Sequence, residues 1–329
     1  MKLYFSGAST FRAYETLKKM PDYRPLTLLH TQYERSSIDK VKPFIDSGDV
    51  EPLFIDSGAF SVHTGKVEEN IEEYVHYLNE IDDYVHLAAQ FDEIPGEYRK
   101  PKTPEHYIYS AERSWANFLQ MYDHMKSPEK LIYVFHQGED ISNLVRALEW
   151  RDKDGKGLGV VGISGQNDSS EKMKNEFIIQ AIDIVQHSSN PKCKTHLFGS
   201  TNKYVVNAVQ PYSADSTTHL QIGIYGKIYI PSIYQPVIVS NIQRPKGPES
   251  DTANSEDESS TTLKTLPYKG GSDMYKEVET YLHSLNLTMN DVEGSSYCRM
   301  AVNIYYWQRQ FDHITDLNVI THPRSKKLF

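Results

Sequence analysis

Short apolar runs recur along the chain before residue 217, each ending in small or polar residues. There are eight: KLYFSG (2–7), LTLLH (26–30), PLFIDSG (52–58), VHLAAQFDE (85–93), LIYVFHQG (131–138), LGVVGISG (158–165), THLFGS (195–200) and PYSADST (211–217). Their apolar residues are nearly continuous rather than alternating, as expected of parallel strands covered on both faces. The stretches between them carry helical spacing. VEENIEEYVHYLNEI (67–81) places Ile71, Tyr74, Val75, Leu78 and Ile81 on one stripe. Thr103 and Pro104 open a helix over 103–125 as N-cap and first helical residue, and serines open another over 169–188. A short helix is expected over 202–210. Eight strands alternating with helices predict an α/β fold, a (β/α)8 TIM barrel.

Beyond the eighth run the texture changes. Residues 220–240 are rich in Ile, Tyr and Val with Gly and Pro between, and read as short strands or an extended excursion. Residues 241–273 are polar, with almost no apolar anchor, and read as a flexible loop or linker. Two closing helices follow over 272–286 and 295–314, with Ser272 or Asp273 and Ser295 or Ser296 as caps. The expected organisation is a catalytic barrel over 1–240, the polar loop over 241–273, and C-terminal helices over 274–329 packing on the barrel.

Composition narrows the function classes. The 329 residues are 39% apolar and 24% charged, enough for a sizeable core. The net charge of −9 repels phosphate, so a nucleic-acid partner must meet a local basic patch. Two distant cysteines, Cys193 and Cys298, form no CxxC and point to a reducing compartment. No apolar run reaches the roughly 18 residues that span a bilayer, and the first residues read as a strand rather than a signal peptide. A cytoplasmic protein with no membrane partner is expected.

In such a barrel the C-terminal strand ends open on one face, where active sites form. Those ends carry Asp56-Ser57-Gly58, Phe91-Asp92-Glu93, Gln137-Gly138, Ser164-Gly165, Phe198-Gly199 and Asp215-Ser216. Carboxylates, an amide and glycines therefore converge on one mouth. Each also has a bland reading. Asp-Ser-Gly is an ordinary turn, Asp215 suits a helix cap, Gln137 suits a buried amide, and Phe60 and Phe198 suit plain packing.

Taken together the series resembles the tRNA-guanine transglycosylases, TIM-barrel base-exchange enzymes. DSGAF at Asp56–Phe60 is similar to that family's DSGGF/Y turn. FDE at 91–93, HQGE around Gln137, GISG at 162–165, THLFGST at 195–201 and Asp215 in SADST follow in the family's order. The resemblance covers about half of the chain. It implies Asp215 as the nucleophile that attacks C1′ of a guanosine and Asp56 as the general acid/base. It further implies Asp92, Gln137 and the Gly165 backbone as readers of the base edge, and Phe60 and Phe198 as the ring sandwich. Ser57, Gly138, Ser164 and Gly199 complete the expected substrate site. The chemistry is coherent: a carboxylate traps an oxocarbenium-like carbon and releases it to a second acceptor, while a second carboxylate moves the proton.

Two departures redirect the expected substrate. Family members acting on tRNA carry a zinc site of three cysteines and a histidine, whereas Cys298 stands alone here, so no metal or cofactor is expected. DSTTHLQIG also replaces the proline-threonine-arginine segment that follows the nucleophile. The pattern resembles the zinc-less viral and bacterial branch that inserts 7-deazaguanine bases into DNA. DNA rather than tRNA is then the expected partner, and 7-cyano-7-deazaguanine the incoming base. A homodimer or partner proteins stay open. The same carboxylates also fit a retaining glycoside hydrolase or nucleosidase, and a barrel that binds nucleic acid without catalysis is a third reading.

His136 and His196 lie near the mouth, and the alternation is expected to turn both away from it. The metal-hydrolase barrel they would otherwise suggest lacks its early HxH. Arg99, Lys100, Lys102, Lys172, Lys174, Arg299 and HPRSKK (322–327) are candidate phosphate contacts beside the simpler reading of solvated surface.

Overall fold

A computed structural model describes residues 1–65, 67, 70–98, 100–166, 169–240 and 273–312. All eight apolar runs form strands: β1 (Lys2–Ser6), β2 (Leu28–Thr31), β3 (Leu53–Asp56), β4 (Val85–Ala89), β5 (Leu131–His136), β6 (Val160–Ser164), β7 (Lys194–Phe198) and β8 (Ser213–Ser216). They pair in parallel in chain order and close β8 onto β1 with Tyr4 opposite Asp215, so the molecule is a (β/α)8 barrel. β8 is only SADS, and pairing on both edges, with β1 and with β7, holds so short a strand.

Side chains alternate across a strand, and every second one points into the barrel. Tyr4, Leu29, Phe54, Leu87, Ala89, Ile132, Val134 and Val160 form that interior, with Phe198 packed against it. The Phe54 ring is fully buried and meets Tyr4, His196 and Phe198 edge-on at centroid distances of 5.3, 4.7 and 5.7 Å. Phe54→Ala is expected to cost about 3–5 kcal/mol of stability, because rigid strands cannot close the void. Urea unfolding with an unchanged m-value checks it.

The outer helices begin where capping dictates. Thr103 caps the helix Pro104–His124 in a capping box whose third residue is His106. Ser170 accepts the Met173 N–H to open Glu171–Gln186. One face of Pro104–His124 reaches back under the mouth. Ser114 Oγ accepts the Glu93 N–H at 2.8 Å, Asn117 Nδ2 donates to the Phe91 carbonyl at 2.8 Å, and Met121 Sδ receives the Phe91 N–H at 3.1 Å. This pins the Phe91-Asp92-Glu93 turn from behind.

The described residues divide into two compact units. The barrel unit comprises Met1–Ala8 and Thr27–Ser216, and the second comprises Ser9–Leu26 and Thr217–Phe311. The expected boundary at 240 therefore moves to Ser216/Thr217. The segment read as strands opens instead with a helix, Thr218–Ile224, followed by the hairpin β9 (Lys227–Ile230) and β10 (Ile233–Ile238). That segment belongs with the last helix, Ser296–Gln310. Asn303 Oδ1 accepts the Tyr229 N–H at 2.8 Å, and its amide donates to the carbonyls of His219 and Lys227. Ser9–Leu26 joins the same unit: the Arg12 guanidinium donates to Tyr297 Oη at 2.6 Å, and Arg309 donates to the Asp22 carbonyl at 2.6 Å. Ser295 caps the last helix and Asp273 begins Asp273–Ser284. The polar loop 241–272 and the tail 313–329 lie outside the described residues. Among the described residues no helix is long and apolar enough to cross a membrane.

Candidate active site

The strand ends surround a cavity of about 350 Å³ at the C-terminal mouth of the barrel. Of the expected site residues, Asp56, Phe60, Asp92, Ser164, Gly165, Phe198 and Gly199 line it. So do His63, Tyr98, Lys100, Lys102, His136 and Gln166.

Asp56 ends β3 and enters the Ser57-Gly58 turn. Gly58 adopts φ +74°, and a Cβ there would stand 2.6 Å from the Tyr33 ring, so only glycine makes this turn without strain. The Gly58 N–H donates to Asp56 Oδ2 at 3.0 Å. Burial pushes the Asp56 carboxyl up to about 7, helped by the negative charge of Asp92 and, more weakly, of Asp215 and Glu34. The Gly58 N–H offsets part of that rise. Asp56 therefore sits between its acid and base forms near neutrality.

Ser57 is fully buried and does not line the cavity; its hydroxyl donates to Asp92 Oδ1 at 2.8 Å. The other oxygen, Asp92 Oδ2, lies 2.8 Å from His136 Nε2, and His136 Nδ1 lies 3.0 Å from Glu139 Oε1. Burial alone would depress the imidazole, but hydrogen bonds from it to Asp92 and Glu139 and their charges overcome that effect and raise His136 to about 10. His136 is thus an imidazolium between two carboxylates. The expectation that it points away is corrected. Ile132 and Val134 face inward on β5, so His136, two further on, faces inward as well.

The same period places Gln137 on the opposite side. It does not line the cavity. Its Oε1 accepts the Gln166 N–H at 3.0 Å and its carbonyl accepts Gln166 Nε2 at 2.6 Å. Gln137 thereby anchors the turn after β6, and Gln166, which lines the cavity, also donates to Tyr107 Oη at 2.8 Å. Gly138 lies beneath the Tyr107 ring and is not on the cavity wall.

Asp215, buried at the end of β8, stands one hydrogen bond behind the wall. Its Oδ1 accepts the N–H of cavity-lining Gly199 at 2.9 Å, and its Oδ2 accepts the Ser6 hydroxyl at 3.0 Å. His196 Nε2 stands 3.3 Å from Oδ1, with Nδ1 2.9 Å from Ser213 Oγ. A carboxylate only accepts, so the Nε2–H donates to Asp215. His196 points into the barrel interior without lining the cavity, packed edge-on between Phe54 and Phe198 at 4.7 and 4.5 Å. The Phe198 ring itself lies over Gly162, where a Cβ would approach it to 2.5 Å, so any larger residue displaces the ring from the wall. Phe60, 48% exposed, meets Tyr98 edge-on at 6.1 Å on the rim.

No known-family model and no curated protein sequence matches the chain. Among the described residues no group of three or more His, Cys, Asp or Glu side chains is placed to hold a metal ion. Of the basic candidates, Lys100 and Lys102 line the cavity, with Lys100 paired to Glu97. Lys174 pairs with Glu171 at 2.6 Å and Lys172 with Glu176 at 3.8 Å. Arg299 is fully buried and donates to the carbonyls of Gly223, Val292 and Glu293, which makes it a structural residue of its own unit. Arg99 and 322–327 lie outside the described residues. Ser6, His136, Glu139, His196 and Gln166 were not singled out as site residues from the sequence. The period-2 alternation of β5 and β7 held the signal for both histidines.

Proposed function

We propose that the protein is a base-exchange transglycosylase that replaces guanine in nucleic acid, DNA by preference, with a 7-deazaguanine base such as 7-cyano-7-deazaguanine. The observation that carries this reading is the division of labour among three carboxylates, Asp56 and Asp92 on the cavity wall and Asp215 one hydrogen bond behind it. Asp56 is poised to exchange a proton near neutrality, Asp92 is held as an acceptor, and Asp215 is oriented by Ser6, Gly199 and His196. In the first half-reaction an Asp215 oxygen bonds to C1′ as the C1′–N9 bond breaks, and Asp56 gives its proton to the departing purine. In the second, N9 of the incoming base bonds to C1′, the Asp215 ester bond breaks, and Asp56 takes the proton of the incoming base. The preference for DNA rests on the missing cysteine cluster and the altered segment after Asp215.

Labelled guanine offered with DNA, with tRNA and with 7-cyano-7-deazaguanine tests the reading. Guanine release from DNA coupled to one-for-one incorporation is the expected result. Release without incorporation would make the protein a glycoside hydrolase, exchange into tRNA alone would reverse the substrate, and absence of both would reject the proposal.

A further inference from the structure

Asp92 does not stand alone on the cavity wall. Its two oxygens are already gripped, one by the Ser57 hydroxyl and one by His136 Nε2. Behind His136, the Glu139 side chain is fully buried, its Oε1 against His136 Nδ1 and its Oε2 without a hydrogen-bond partner among the described residues. Glu139 Oε1 is shared by the imidazole and the His136 backbone N–H, which stands 3.3 Å away. A neutral imidazole has a single N–H and would turn a lone pair on either Asp92 or Glu139, which is costly; a charged one donates to both. Asp92 and Glu139 are the charged groups in contact with His136, the first on the turn after β4 and the second just beyond β5.

Two donors on Asp92 have a chemical consequence. A carboxylate that receives a hydroxyl proton and an N–H can turn only acceptor lone pairs toward the cavity. Such a wall complements a base edge with adjacent N–H donors, as the N1–H and N2–H of a 2-amino-6-oxopurine present. It opposes an edge offering a ring nitrogen lone pair, and it gains one bond fewer from an edge lacking the 2-amino group.

We propose that His136, locked by Glu139, is a positioning residue that holds Asp92 as an acceptor-only reader and thereby sets selectivity for a base carrying the 2-amino group. The role rests on the transglycosylase reading and extends it, because it places discrimination in a three-residue chain through β4 and β5. Gln137, the amide expected to share this task, faces the other way.

The test compares binding of radiolabelled guanine and hypoxanthine to the full chain by equilibrium dialysis, for wild type, His136→Gln and Glu139→Gln. Wild type is expected to favour guanine by about 30-fold or more, because a site built for a donor group rejects an analogue lacking it. Both variants are expected to lose at least about tenfold of that ratio, with hypoxanthine affinity changing little. Ring ¹⁵N NMR supplies a readout independent of base binding. His136 is expected to keep imidazolium shifts at pH 8.5 in wild type and to titrate lower in Glu139→Gln, which preserves the shape of the side chain. Variants that lose both bases in equal proportion, or a His136 that titrates like an ordinary histidine, would overturn the clamp while leaving base exchange standing. A wild type that binds neither base while His136 keeps its imidazolium shifts would instead reject the transglycosylase reading, and with it the role assigned to the clamp.

Discussion

Asp215→Asn is expected to lower base exchange by on the order of 10⁴-fold or more, with little loss of base binding, because removing the proposed covalent nucleophile leaves only binding and electrostatic assistance. The amide still fits between its donors but brings N–H groups of its own. One faces either Gly199 N–H or the Ser6 hydroxyl, so a modest loss of stability accompanies the loss of activity. The decisive measurement is a trapped ester. Wild type incubated with a guanine-containing oligonucleotide and no second base is expected to retain a fraction of the DNA through acid quench, visible as a mass increase on the peptide containing Asp215. The variant is expected to show none. A variant with near wild-type exchange would transfer the nucleophile's role elsewhere and remove the mechanism proposed here.

Asp56→Asn carries the second large effect, and it divides by pH. Asparagine neither gives nor takes a proton, so exchange is expected to fall by roughly 10²–10⁴-fold. In the proposed mechanism the departing base needs Asp56 protonated and the incoming base needs it ionised, so exchange is expected to peak near pH 7 and decline on both sides. The stability consequence has a definite sign. The folded-state carboxyl is raised from 3.8 to about 7, so the stability it contributes is fully present below pH 3.8 and is lost as pH rises through 7. Asparagine has no such titration. The stability of Asp56→Asn relative to wild type is therefore expected to rise between about pH 4 and pH 7 and then level off. The gain is on the order of 2 kcal/mol once water in the open cavity is allowed for. Urea melts at pH 5, 7 and 8.5 check it. A difference that stays flat would mean that Asp56 is ionised throughout and unsuited to acid/base work.

Much of this was legible in the residues because the barrel's signals are local. Eight apolar runs, Thr103-Pro104 and the serine caps each act within a few residues, and the strand ends they define carry Asp56, Asp92 and Asp215 to one face. Residues 220–224, read as part of a strand-like or extended segment for their Ile and Gly, are helical instead. Their partner is the last helix, where Gly223 lets the Met300 backbone approach: a Cβ would stand 3.1 Å from the Met300 nitrogen. That contact joins residues far apart in the chain and leaves no local trace.

The chain by itself determined the fold class, the order of the strands and which face holds the acidic groups, since periodicity and caps are properties of neighbours in sequence. Tertiary structure alone decided what surrounds those groups. The proton held by Asp56 depends on burial and on charges carried by other strands. The inward turn of His136 makes a histidine expected to point away into the partner of Asp92 and Glu139, and leaves Gln137 as an anchor for Gln166. Charge state and hydrogen bonding are set by atoms close in space, and only the closed barrel brings these together.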